Sequence, residues 1–172
     1  MSKVMSKSLI RGLAGRVKID ESHEVPYLGG VSKDGGTIYI DYRFPKHYKQ
    51  SDGKVVEPHK YLIFHEFAEF IHLAQGEKYN PAHRKAAQME KEFLKEDGVD
   101  IQEYYEHVYK YVQEAMHNID KSRIPSNLDM RPYIEDGLAP TLEAMGHPNK
   151  VKHPHSATHA FLKQEMEKDI KL

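Results

Sequence analysis

The sequence predicts an α+β fold: a helix-dominated single domain with a small N-terminal antiparallel β-hairpin or sheet. Three observations carry that expectation. Apolar and polar residues alternate between residues 17 and 44, the period becomes helical after residue 57, and prolines and glycines fall where helices start and stop. At 172 residues, 39% hydrophobic and 30% charged, the chain can bury one core and still present a polar surface.

Residues 1–16 form a basic N-terminal segment with Lys3, Lys7, Arg11 and Arg16 and no acid. Its composition is compatible with a transit peptide, but a helical or frayed basic terminus is the preferred reading. The core domain is expected over 17–146. Val25-Pro26-Tyr27-Leu28 and Thr37-Ile38-Tyr39-Ile40-Asp41-Tyr42 read as strands around an Asp34-Gly35-Gly36 turn. Lys46 to Lys54, with Ser51-Asp52-Gly53, reads as a polar loop. Pro58 and Gly76 bracket a first helix near 58–75. Asn80 as N-cap, Pro81 as first helical residue and Gly98 as stop bracket a second, and the short Gly76–Asn80 connection makes the two helices neighbours.

Asp100 with Glu103 gives a capping-box start to a third helix, where Ile101, Tyr104, Tyr105, Val108, Tyr111, Val112, Ala115, Met116 and Ile119 form an apolar stripe. The tyrosines of this helix read as core residues with wet hydroxyls rather than a base-stacking surface. Irregular chain follows around Pro125, Pro132 and Gly137, with a short helix at 140–145. Residues 147–172 read as a His-rich loop and a C-terminal helix. His147, His153, His155 and His159 beside Lys150 and Lys152 read as solvated rather than as a second metal site or an anion site.

Composition excludes several functions. Lys plus Arg number 25 against 26 Asp plus Glu, so the electrostatic footprint of a nucleic-acid partner is lacking. The apolar run Tyr61–Phe64 falls far short of the roughly 20 residues a membrane span needs. Zero cysteines exclude thiolate metal sites, disulfides and thiol nucleophiles and suit a cytoplasmic location. Any metal must therefore take nitrogen and oxygen ligands. No motif supports a serine hydrolase, a phosphate loop or a dinucleotide fold. The sequence leaves the oligomeric state open.

The informative stretch is Tyr61-Leu-Ile-Phe-His65-Glu66-Phe-Ala-Glu69-Phe-Ile-His72-Leu-Ala74. His65, Glu69 and His72 fall within a stripe of about 60° on an otherwise apolar helix. Such a helix is buried, and each polar group left unpaired there would cost about 1–3 kcal/mol. A metal ion would supply the partner. Side chains at i and i+4 stand one above the other, so His65 and Glu69 can converge on one ion. Glu66 is rotated by about 100° and cannot share that coordination, but it can reach a water on the ion, which is where a general base belongs.

This run resembles the H-E-x-x-H helix of the zincin metallopeptidases, with Glu69 in place of the second histidine. The longer pattern, a Pro-Tyr-Leu-Gly-Gly and Ile-Tyr-Ile-Asp hairpin, then H-E-x-x-E, Ala82-His83 and Glu90, is similar to a family of uncharacterised bacterial and phage proteins. The zincin resemblance implies a peptide or amide substrate and a β-strand beside the helix that binds it extended.

The third ligand has two candidates on the second helix. Counting helical rises in an antiparallel pair puts Glu90 level with His65 and His83 level with His72, which favours Glu90. Ligand preference favours His83, because two histidines and one carboxylate match catalytic Zn2+, whereas one histidine and two carboxylates suit Mn2+ or Fe2+ equally. His83 is the preferred ligand, with Glu90 the alternate ligand or a group behind the ligands and His72 a weaker alternate. Asp41, Arg43 and Tyr39 are candidates for orienting substrate, with a surface ion pair as the competing reading of the first two. The leading expectation is a zinc-dependent hydrolase. The competing one is a non-catalytic metal-stabilised or protein-interaction domain of phage or mobile-element origin.

Overall fold

The computed structural model describes residues 7–131. They form helix α1 (Lys7–Ala14), strands β1 (Lys18–Asp20), β2 (Gly29–Val31), β3 (Thr37–Ile40), β4 (Tyr48–Lys49) and β5 (Val55–Val56), and helices α2 (Pro58–Ala74), α3 (Tyr79–Glu96) and α4 (Ile101–His117). A 3-10 turn follows at Lys121–Arg123. The α+β, helix-dominated class holds. No helix among these residues is long and apolar enough to cross a membrane. The short helix expected at 140–145, and the His-rich loop and C-terminal helix expected over 147–172, lie outside the described residues.

Helix α2 is the centre of the fold. It packs against α1, β2, β3 and α3, so Phe64, Phe67, Ala68, Phe70 and Ile71 are all buried. A helix that is apolar nearly all round has to be surrounded in this way. Ala82 and Ala86 of α3 have no exposed surface, and residues this small let α3 approach closely. Ile10 and Leu13 of α1 sit in the same core, so this helix packs on the domain.

The three-stranded sheet has the order β1-β3-β2. β2 and β3 form the expected hairpin across Asp34-Gly35-Gly36, whereas β1 joins parallel to β3, which makes the sheet mixed. Val25–Leu28 is not a strand. Tyr27 and Leu28 have φ of 56° and 74°, a left-handed pair that turns the chain so that Val25 enters a second cluster with Ile124 and Leu128 while Leu28 enters the main core. The strand begins one residue later, at Gly29. The polar stretch 46–54 also departs from expectation. Tyr48–Lys49 pairs with Val55–Val56 across Ser51-Asp52-Gly53, with Tyr48 and Val56 packed on the core.

Helix boundaries follow local chemistry. Asp100 accepts a hydrogen bond from Glu103 N at 2.9 Å and caps α4 as expected. The Glu103 side chain does not close the box; it binds Ser51 of the β4–β5 turn, and Asp100 N donates to Gln50 instead. Helix α3 starts at Tyr79 with Lys78 at the cap, so Pro81 lies within the first turn, where its missing N–H is still no loss.

Candidate metal centre

His65 and Glu69 lie one turn apart on the buried helix α2, and α3 runs antiparallel to it, since His65 meets Glu90 while Glu69 meets His83. Both side chains on α2 are buried, whereas His83 is partly exposed. Three donor atoms converge. Glu69 Oε2 lies 2.7 Å from His83 Nδ1 and 3.7 Å from His65 Nε2, and the two ring nitrogens are 3.3 Å apart. For ligand bonds of about 2.0–2.1 Å, the edge of a tetrahedral zinc site is about 3.3 Å. The triangle fits that size, with the Glu69–His83 edge needing to open by roughly half an ångström.

Glu90 stands on the other side of the His65 ring. Its Oε2 is 3.0 Å from Nδ1, while Nε2 faces Glu69 and His83. Tyr104 OH donates to Glu90 Oε1 at 2.7 Å and Tyr105 OH to Oε2 at 3.1 Å. The helical-rise count therefore placed Glu90 correctly beside His65, but on the nitrogen that the other two donors do not share.

Glu66 and the three converging residues line a cavity of about 260 Å³, with Gly29 and Gly30 of β2, Phe70 and Leu73 of α2 and Val108 and Val112 of α4 among its walls. A Cβ at Gly29 would lie 2.7 Å from Glu66 Oε1, so the strand passes directly over this carboxylate. The Glu66 side chain accepts no hydrogen bond among the described residues. Burial first, then the Glu69 and Glu90 carboxylates, push it up to about 8 against the opposing pull of His65. Burial would lower His65, but Glu90, Glu69 and Glu66 outweigh it and hold the imidazole well above its ordinary value. Burial likewise raises Glu69, and the nearby His65 imidazole together with the His83 ring at 2.7 Å more than reverses that. Three carboxylates thus share two imidazoles, and positive charge is favoured where the donor atoms meet.

The other candidates are placed elsewhere. His72 Nδ1 lies 3.1 Å from Glu77 Oε1, which also receives Lys85 Nζ at 2.6 Å, and neither belongs to the cluster. Asp41, Arg43 and Tyr39 do not line the cavity. Asp41 is fully buried, so the surface-pair reading fails as well: it accepts Arg43 Nη2 at 2.7 Å, Arg43 Nε at 2.8 Å and Val25 N at 2.9 Å. Arg43 Nη1 reaches Asn118 O, and Tyr39 OH donates to Asn127. These residues tie β3 to the chain after α4.

Sequence reasoning missed Gly29, and it took Tyr104 for a core residue with a wet hydroxyl. Tyr104 is fully buried, and Glu90 meets its hydroxyl. The available signal was that a lone buried carboxylate needs donors, and two adjacent tyrosines on the facing stripe can supply them. Strand β2 lies beside α2. Part of its outer edge is taken by the chain itself, since Lys33 N donates to Asn127 O and Asp129 N to Val31 O, both at 2.8 Å. No protein-family model, curated protein or solved structure matches the chain.

Proposed function

We propose that the chain is a zincin-like, zinc-dependent hydrolase acting on a peptide or amide bond, with His65, Glu69 and His83 holding Zn2+. The observation that supports this is the triangle of Nε2, Oε2 and Nδ1 with edges of 3.3, 2.7 and 3.7 Å between the buried helix α2 and the face of α3 turned towards it. Two imidazoles and one carboxylate with a position left open form a catalytic rather than a closed structural donor set, and Mn2+ or Fe2+ would be the next best occupants. Such an ion would supply Lewis acidity to a water and to the substrate carbonyl.

The chain's own residues provide the rest. Glu66 is one residue from His65 and lines the same cavity; a cation held there would bring its carboxyl down from about 8, so that it takes the proton from the attacking water and returns it to the leaving nitrogen. Glu69, held by both histidines, stays ionised as a ligand must. The apolar walls from α2 and α4 exclude water around the reacting carbonyl and leave room for a small uncharged group of the substrate. The absence of cysteine suits work in the cytoplasm.

The test is metal content and turnover on the same preparations. Wild type purified without added metal should carry close to one zinc per chain, and His65→Ala should carry none. Glu66→Gln should keep the zinc and lose about 10²–10⁴-fold in cleavage of a quenched fluorescent peptide library. A wild type that neither contains zinc nor takes it up on dialysis ends the proposal. Full zinc with turnover undiminished in Glu66→Gln leaves the metal and removes the enzyme.

A further inference from the structure

We infer that Glu90, clamped by Tyr104 and Tyr105, is a positioning residue that fixes which nitrogen of His65 faces the metal and strengthens metal binding; this rests on the proposed ligand set. Glu90 is 4% exposed and has no Lys or Arg partner among the described residues. Its donors are two tyrosine hydroxyls and the His65 ring, at 2.7, 3.1 and 3.0 Å. A carboxylate this buried, with no Lys or Arg beside it among the described residues, depends on each of these three donors.

The direction of the hydrogen bond follows. A carboxylate only accepts, so His65 must place its proton on Nδ1, and the Nε2 lone pair then points at Glu69 and His83. Of the two neutral tautomers, the other would set a lone pair against the Glu90 oxygen at 3.0 Å and leave Nε2 without one to offer. Electron density drawn from Glu90 through the ring makes Nε2 a better donor. Because Tyr104 and Tyr105 belong to α4, a helix that contributes none of the three ligands, they set the strength of the centre from behind.

The experiment measures zinc affinity of the full chain by competition with a chelator of known affinity, alongside the thermal unfolding of the metal-free form. Glu90→Gln keeps the shape of the side chain and should weaken zinc binding about 10- to 100-fold. Tyr105→Phe, at a half-exposed site, should leave the fold intact and weaken binding about two- to tenfold. Since Tyr105 acts through Glu90, the double variant should bind no more weakly than Glu90→Gln alone. In the zinc-loaded wild type, long-range 15N–1H spectra should place the His65 ring proton on Nδ1.

Affinity unchanged in Glu90→Gln while the metal-free form loses stability would make Glu90 an ordinary core group and overturn the inference. Fully additive losses in the double variant, or a His65 proton on Nε2, would overturn it too. Each of these results leaves the zinc site standing. Absence of zinc from the wild type is the different outcome, and it removes the metal reading and this inference together.

Discussion

The molecule buries two groups of acids and satisfies them in opposite ways. Asp41 lies under the fork of Arg43, with Val25 N and Arg43 N completing its contacts, and Glu24 lies 3.7 Å from the same guanidinium. A permanent cation is built into that group, and the chain needs nothing else there. Around α2, Glu66, Glu69 and Glu90 face His65 and His83, whose positive charge is optional. The contrast teaches that a buried carboxylate alone does not mark a site. What marks one is a set of buried acids whose counter-charge the chain leaves open to a proton or an ion.

The largest effect separating the two groups should come from Arg43→Met. Removing the fixed cation leaves Asp41 ionised and buried with backbone donors only, and breaking such a pair costs about 3–5 kcal/mol. Urea unfolding of the variant should show a loss of that size, while the folded fraction keeps its wild-type zinc stoichiometry. A loss below about 1 kcal/mol would mean that the Asp41 pair contributes no more than a surface ion pair.

Gly29→Ala sharpens the other half of the comparison. The new methyl group would sit 2.7 Å from Glu66 Oε1 and 2.9 Å from its Cδ and Cγ, and the flexible end of the glutamate is what can give way. Gly29 does not have a positive φ, so alanine brings no backbone strain. Zinc content should be unchanged, and turnover should fall about 10²-fold, the cost of roughly an ångström of misplacement at a reacting group. Undiminished turnover would show that Glu66 need not stand where it does.

How far the sequence revealed this contrast depended on the range of the signal. The helix α2, its limits at Pro58 and Gly76, and the pairing of His65 with Glu69 are set by spacing along one helix, and they were legible. His83 and Glu90 were legible as a pair of candidates, because two helices joined by a short connection have to be neighbours. Which nitrogen of His65 each would face was not legible, since that depends on ring orientation rather than on helical rise. Asp41 and Arg43 were misplaced for a related reason: alternation along a strand gives the face but not what covers it, and the chain after α4 covers this one. Val25–Leu28 was misread because the demand to bury Leu28 and Val25 in different clusters overrides the local strand pattern.

Asp20 supplies a third, weaker arrangement, with donors supplied almost entirely by its own loop. Its Oδ1 accepts Ser22 N at 3.0 Å and Ser22 Oγ at 2.6 Å, and His23 Nδ1 lies at 3.0 Å. Burial alone would raise the carboxyl, but Ser22 and His23 outweigh it and bring it down to about 2, against 3.8 ordinarily. A folded-state value below the unfolded one makes the charged form a source of stability that is fully present above about pH 4 and lost as the pH falls through 2. Solvent screening at this exposed loop brings its size to about 1 kcal/mol. The wild type should therefore exceed Asp20→Asn in unfolding free energy by about that much at pH 5, and the gap should close as acid is added towards pH 2. A gap that stays constant with pH would mean that the loop needs only an acceptor at residue 20 and not its charge. Asp20 would then belong with neither of the two buried groups, since each is defined by how a full negative charge is answered.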